Sequence, residues 1–320
     1  MALLTVQRDR GRTTVHPQSR RRPGWKRYRN RTFYFFIAPW LLGFLLLTVI
    51  PFAFALIVSF TSFDGFSAWR WIGFKNYIDL VHDTNTLYSL GRTLLFVVIT
   101  IPITIIGGLG LAVLVDRKLP GINLFRSAFY LPSVMPIVAA AIVWRSIFSR
   151  DTGLINAFLS IFQGPLINWL VDPTAFWAVI VMWLWGMGGG MLTALAGLKG
   201  ISPELKEASR IDGANAWQSF RHVTLPLLTP IIFFQVITSF IGTIQILMQP
   251  LLLAATNLNA VGYIPRGNYF YMVHVYAQFF YFQRFGYGAA LLWVLFLVIL
   301  LITLIVFRSG VGWVYYEVER

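Results

Sequence analysis

Apolar residues in this chain run in long uninterrupted stretches, without the alternation of a half-buried strand or the one-sided stripe of a surface helix. Six stretches stand out, roughly 33–60, 93–115, 127–148, 175–198, 228–254 and 287–307. At 1.5 Å per helical residue, each is long enough to cross a hydrocarbon core of about 30 Å. The pattern predicts an all-α polytopic membrane protein with six transmembrane helices. Pro39, Pro51, Pro102, Pro132, Pro136, Pro230 and Pro250 lie in or at the ends of these stretches. Bent spans are therefore expected, with the lost backbone bonds made good by neighbouring helices or water. Between spans, the segment 69–81 alternates aromatic and polar residues as an interfacial helix would, and the aromatic run 263–287 is expected along the outer membrane surface.

Composition agrees with this pattern. Of 320 residues, 57% are apolar and only 12% charged, about half the charge of an average soluble domain. A soluble enzyme is excluded, and so is a disordered or nucleic-acid-wrapping protein, which needs charge along its whole length. Cysteine is absent and the four histidines are scattered, so neither thiol chemistry nor a metal site is expected. Nineteen of the 26 Lys and Arg fall in the amino-terminal tail, the second and fourth loops and the C-terminus. The positive-inside rule then puts both termini and those two loops in the cytoplasm. The division expected is a basic cytoplasmic tail over 1–32, a transmembrane domain over 33–310 and a short tail over 311–320. The first span is longer than the apolar region of a cleavable signal and is expected to be retained. The basic tail reads as a topogenic signal that touches anionic headgroups, with an RNA-binding arm as the alternative.

The fourth loop, 199–226, is the polar segment with internal design. Ser202 is placed to cap a helix, with Pro203 at its first position and Glu204 and Glu207 near its positive end. Gly213 permits a left-handed turn. Asn215, followed three residues later by Gln218, predicts a second cap, and Pro226 is expected to introduce the fifth span. Two helices joined by a glycine elbow suit docking. Leu205, Ala208, Trp217 and Phe220 would enter a partner's groove, while Glu207, Arg210 and Asp212 supply charge at its rim.

Glu207-Ala208-Ser209, Gly213 and, after nine intervening residues, Val223-Thr224-Leu225-Pro226 resemble the EAA signature of permease subunits in binding-protein-dependent ABC importers. Ser209 stands where that family usually has a second Ala, and Val223 where Ile is commoner. Ala196-Gly197-Leu198, Ile211-Asp212-Gly213-Ala214, Gly73-Phe74-Lys75-Asn76-Tyr77 and Tyr315-Tyr316-Glu317 are similar to its carbohydrate branch, in particular to larger subunits of the maltose type. The resemblance implies the type I importer architecture and four kinds of partner besides membrane lipid: a second permease subunit, an ATPase dimer, an extracytoplasmic solute-binding protein and a sugar. It also implies that the loop, with Glu207, Ala208, Arg210, Asp212, Gly213, Leu225 and Pro226, couples to the ATPase.

No lysine follows a glycine, so no phosphate loop is present and a separate ATPase is needed. No Asp or Glu lies well inside a span, which disfavours a self-sufficient ion-coupled carrier. Paired carboxylates at depth and a serine-nucleophile elbow are also missing, so no membrane-enzyme chemistry and no cofactor are expected. The fifth span carries Gln235, Thr238, Ser239, Thr243, Gln245 and Gln249. Neutral amides and hydroxyls suit sugar hydroxyls, and Trp183 or Trp185 offers a face for a pyranose ring. Trp185, Gln235, Ser239, Thr243 and Gln245 are the candidate substrate-path residues. The competing role for each is the polar glue between packed membrane helices. A permease for another solute, such as glycerol phosphate, stays open.

Overall fold

A computed structural model describes residues 30–66, 68–117, 119–254 and 264–315. The basic tail before residue 30, Tyr263 and the Tyr316-Glu317 pair lie outside these residues. Among the described residues the architecture is helical, with one isolated β-bridge between Thr61 and Trp71.

The chain divides into two units, the first ending at Phe52 and the second running from Ala53 to Arg320. In the first, α1 (Asn30–Phe44) passes through a π-helical turn (Leu45–Val49) into the start of α2 (Ile50–Ser59), most of which belongs to the second. Phe33, Phe35, Phe36, Trp40 and Leu47 are all exposed, as suits a helix solvated by lipid rather than water.

The second unit continues with α3 (Lys75–His82), α4 (Thr84–Val115), α5 (Ile122–Val134), α6 (Ile137–Ile147), α7 (Leu154–Ile161), α8 (Ala175–Trp185) and α9 (Gly188–Gly200). Then come α10 (Pro203–Ile211), α11 (Ala216–Ser219), α12 (Leu225–Ile244), α13 (Met248–Ala254), α14 (Tyr271–Phe280) and α15 (Phe285–Trp313). Among the described residues of the whole chain, five helical runs are long and apolar enough to cross a membrane: Thr32–Ser59, Thr84–Val115, Ala175–Gly200, Ala216–Ile244 and Phe285–Trp313. A sixth is reached by counting α5 and α6 together, which meet at a bend of 100°. Pro136 causes that bend. It denies its neighbour the helical region, and Met135 is accordingly extended, with φ −69° and ψ 135°.

Three expectations need correction. The segment 69–81 is helical only from Lys75, because Trp71 is taken up by the bridge to Thr61. The aromatic run lies at the surface only in part, at the exposed Phe280, Tyr281 and Phe282. Tyr271 and Phe270 are fully buried, since the Tyr271 amide donates to Thr93 Oγ1 of α4 (2.8 Å) and its hydroxyl to the Leu291 carbonyl of α15 (2.9 Å). The fifth span begins twelve residues earlier than the apolar pattern suggests, at Ala216 instead of 228, and ends at Ile244. The proline at 226 does not start it. A π-helical turn over Phe220–Thr224 widens the helix just ahead of Pro226, which absorbs the missing donor.

Helix α4 is the hub. Its Gly108 approaches the backbone of Gly190 and Met191 in α9, where an added Cβ would lie 3.2–3.3 Å from main-chain atoms. Its Phe96 meets the rings of Phe176, Trp183 and Phe270 edge to face at 5.2–6.1 Å. At the opposite end from the fourth loop, Asp83 caps α4 by accepting from Asn85 N (2.9 Å) and also accepts from the hydroxyls of Tyr287 (2.9 Å) and Thr86 (3.1 Å). His274 of α14 sits 3.4 Å from the same carboxylate, with Thr86 and Tyr269 hydroxyls each 3.0 Å from its ring nitrogens. Burial outweighs the pull of Asp83 and pushes His274 below its ordinary value. Burial raises the Asp83 carboxyl, but the Asn85 and Tyr287 hydrogen bonds, with His274 and Thr86, hold it below the usual carboxylate range.

Two predictions follow from this packing. A Cβ at Gly188 would collide with the Phe129 carbonyl of α5, whereas one at Gly190 meets nothing within 4 Å. Gly188→Ala should therefore cost at least about 1–3 kcal/mol, read as a lower unfolding temperature in detergent, and Gly190→Ala should leave that temperature unchanged. Both His274 and Asp83 bind protons more weakly folded than unfolded, so each contributes stability above its unfolded value and loses it on acidification. Thermal stability should thus fall as the pH drops through about 6.5, the unfolded histidine value, and His274→Gln should flatten that part of the profile.

Candidate functional site

Two places in the second unit bring polar groups together: a cavity among the spans and the hairpin at 203–219. The cavity holds about 440 Å³, within the range of small-ligand sites. It forms where three helical runs break. Met135 and Ile137 flank the Pro136 bend, Gly186 ends α8, and Thr243 and Gln249 flank the gap between α12 and α13; all five line it. Thr238, Ser239 and Gly242 add the exposed edge of α12, Trp183 and Trp185 the indoles of α8, Thr104 the wall of α4 and Ser133 that of α5. No described lining residue carries a charge. Trp185 is held edge to face against Trp144 (5.7 Å), and Thr104 Oγ1 is buried without a hydrogen-bond partner.

Of the candidate path residues, Trp185, Ser239 and Thr243 line this cavity and Gln235 and Gln245 do not. Gln235 is buried, and its Nε2 donates to the Gly190 carbonyl of α9 (2.8 Å), which is the glue role of a membrane amide. Gln245 Nε2 turns back to its own helix and donates to the Ile241 carbonyl (2.7 Å), filling an acceptor freed where α12 ends. Thr104 and Ser133 were missed by the sequence reading. Ser133 stands in an apolar stretch with no polar stripe to mark it, whereas Thr104 follows Thr100 by one helical turn, a signal that could have found it.

In the hairpin, α10 ends on a complete left-handed cap. Gly213 has φ +82°, its N–H donates to the Arg210 carbonyl (3.1 Å), and the Ala214 N–H donates to that of Ser209 (3.0 Å). The Asn215–Gln218 capping box is present in both directions. Ser202 makes no side-chain cap bond. The second arm is not a separate helix. It is the first turn of the run Ala216–Ile244, so Leu225 and Pro226 stand half-buried in its stem rather than at the tip. Ser209 Oγ lies 2.8 Å from Ser219 Oγ, a bond that pins the two arms together. Glu207, Ala208, Arg210 and Asp212 are exposed on the outer face, beside Ile211 (86% exposed) and Trp217 (66%). Phe220, expected beside them, stacks under Trp217 at 5.8 Å. Val113 and Asp116 at the C-terminal end of α4 line a small pocket with Lys206 and Arg210, which fixes the hairpin at the end opposite Asp83 and His274.

The arrangement joins an uncharged cavity at broken helices to an exposed rigid hairpin at one end, and comparison with known proteins agrees with it. Residues 104–311 match the family described as binding-protein-dependent transport system inner membrane component, and the chain belongs to that family. It is a multi-pass membrane protein and a transport component. It is 38% identical to the probable ABC transporter permease protein YesP of Bacillus subtilis, over 90% of this chain and 93% of that one. It is 32% identical to the probable starch degradation products transport system permease protein AmyD of Thermoanaerobacterium thermosulfurigenes, over 88% and 94%. In fold it resembles a chain of the bacterial alginate ABC transporter in complex with alginate pentasaccharide-bound periplasmic protein, with a TM-score of 0.73 at 19% identity over 88% and 94% of the two chains.

An added methyl at Gly213 meets nothing within 4 Å, so Gly213→Ala should cost only the left-handed backbone, about 1–2 kcal/mol. Gly213→Pro also fixes φ on the wrong side and removes the N–H that closes the cap. Limited proteolysis of the purified protein should leave the alanine variant's hairpin intact and cut the proline variant between residues 210 and 216.

Proposed function

We propose that this chain is the membrane-spanning permease subunit of an ATP-driven sugar importer. It forms half of the translocation path and performs no bond chemistry. A separate ATPase dimer supplies the work, a second permease subunit completes the path, and an extracytoplasmic binding protein delivers the solute. The observation that carries the reading is the cavity: neutral hydroxyls and an amide beside two indoles, with no charge, in a chain of this transport family. Ser239, Thr243 and Gln249 offer hydrogen bonds to sugar hydroxyls, and Trp185 offers a ring face. A phosphorylated or ionic solute would call for a charged lining. The relative's name, a starch-product permease, points the same way.

The hairpin suits the coupling role. Its exposed Ile211 and Trp217 give an apolar contact, and Glu207, Arg210 and Asp212 ring it with charge. Because its second arm continues as α12 up to Thr243, a displacement of the hairpin is delivered to the cavity wall.

The test is uptake by the assembled importer in proteoliposomes, with ATP hydrolysis followed in parallel. Trp185→Ala and Ser239→Ala with Thr243→Ala should each raise KM for the transported sugar about tenfold, the loss of roughly 1–2 kcal/mol expected for one or two neutral hydrogen bonds or a ring contact. Gln235→Leu should lower thermal stability and leave sugar selectivity alone. Glu207→Arg should abolish uptake while the subunit stays in the membrane. Unchanged kinetics in both cavity variants would reduce those residues to helix packing, and sugar uptake without any ATPase would overturn the reading.

A further inference from the structure

The segment 152–171, which joins the end of the bent pair to α8, contains no Asp, Glu, Lys or Arg in twenty residues. Its helix α7 (LINAFLSI) exposes Leu154, Phe158, Ile161 and the following Phe162 at 60–73% of their surfaces. Those positions fall on one face at helical spacing. The arrangement is held from behind by one residue. Asn156 is 2% exposed. Its Nδ2 donates to the carbonyls of Arg150 (2.9 Å) and Ile167 (2.7 Å), and its Oδ1 accepts from Ile167 N (3.2 Å) and Trp169 Nε1 (3.0 Å). The Trp169 ring in turn packs on Phe148 at the end of α6 (6.1 Å). The apolar face is therefore presented outward by a satisfied polar pin, and does not result from a loose loop.

We infer that α7 lies in the headgroup boundary of the outer leaflet, with Leu154, Phe158, Ile161 and Phe162 dipped toward the acyl chains. Two observations choose lipid over a protein partner. A docking face for a protein is rimmed by polar and charged groups that set register and steer encounter, and between Asp151 and Asp172 the segment carries no charge. The exposed apolar surface also continues along the chain on both sides, through Ile142 of α6 and through Leu166, Val171 and Trp177 into α8. Those helices belong to the bent pair and to a candidate span, whose outward faces are lipid-facing in a multi-pass membrane protein. A short amphipathic helix in this position binds by apolar area and fixes the depth of the outer end of the bent pair.

The chain has no cysteine, so a single nitroxide can be placed at Phe158→Cys or Phe162→Cys in the complete importer in lipid bilayers, with the unsubstituted complex as background. Collision with oxygen should dominate at both sites and collision with a water-soluble nickel chelate should be suppressed. A label at Ser160→Cys, on the far side of the helix, should show the reverse. Chelate access at 158 and 162 equal to that at 160 would place the face in water and overturn the proposal. Protection from both oxygen and chelate would mean that a protein covers it and would overturn it as well.

Discussion

Hydrocarbon offers no hydrogen bonds, so a membrane-embedded backbone can leave the helix only where something else satisfies the freed groups. That constraint decides where this structure opens. The bent pair breaks at Met135–Pro136, the fourth run at Gly186–Met187 and the fifth after Ile244, and all three breaks face one cavity. Each is closed in the same way. Met135 N donates to Pro132 O, Gly186 N to Trp183 O and Ile246 N to Thr243 O, at 3.1–3.3 Å. A tightened final turn of this type keeps the donor satisfied while the next residues change direction. Among the residues that line the cavity, Thr104 keeps a buried hydroxyl without a partner.

The same economy explains the hairpin. A loop with the coupling role proposed here has to be exposed to dock and stiff to transmit force, and those demands conflict in a flexible segment. Here the left-handed cap at Gly213, the capping box at Asn215 and the Ser209–Ser219 contact consume the polar groups that would otherwise let the arms separate. The second arm then runs without a break to Ile244. Its 29 residues make a rod of about 40 Å at 1.5 Å per residue. In the proposed importer the hairpin and the cavity wall are thus two ends of one element, and no relay through side chains is required.

What the sequence made legible divides along the same line. Apolar length located the spans, and local capping chemistry located Gly213 and Asn215, because both signals are carried by neighbouring residues. The start of the fifth span was missed because helix continuity at Pro226 depends on a widened turn that no residue pattern announces. Ser209 looked like a small departure from the family signature and proved to be the pin between the arms. Of the residues that line the cavity, Ser239, Thr243 and Trp185 could be picked by type and face. Gln235 and Gln245 could not be separated from them, since an amide that binds the Gly190 carbonyl and one that faces a cavity read alike in one dimension. The aromatic run was misplaced for a related reason: Tyr271 satisfies its amide and hydroxyl on two other helices, and those partners lie about 180 and 20 residues away along the chain.

The glycines at 186–190 show how closely the helices beside the cavity approach one another. Gly186 ends α8, a Cβ at Gly188 would strike the Phe129 carbonyl, and Gly190 gives its carbonyl to Gln235. On the other side of α9, its backbone at Gly190 and Met191 meets Gly108 of α4. The contacts of α9 with α4 and α5 at this node are therefore backbone against backbone, and α12 joins it through the Gln235 side chain. Interiors packed this closely move as bodies and do not deform continuously. Any opening of the path must then shift whole helices past one another. The extended Met135 between α5 and α6 and the short turn between α12 and α13 are where the helices beside the cavity are interrupted.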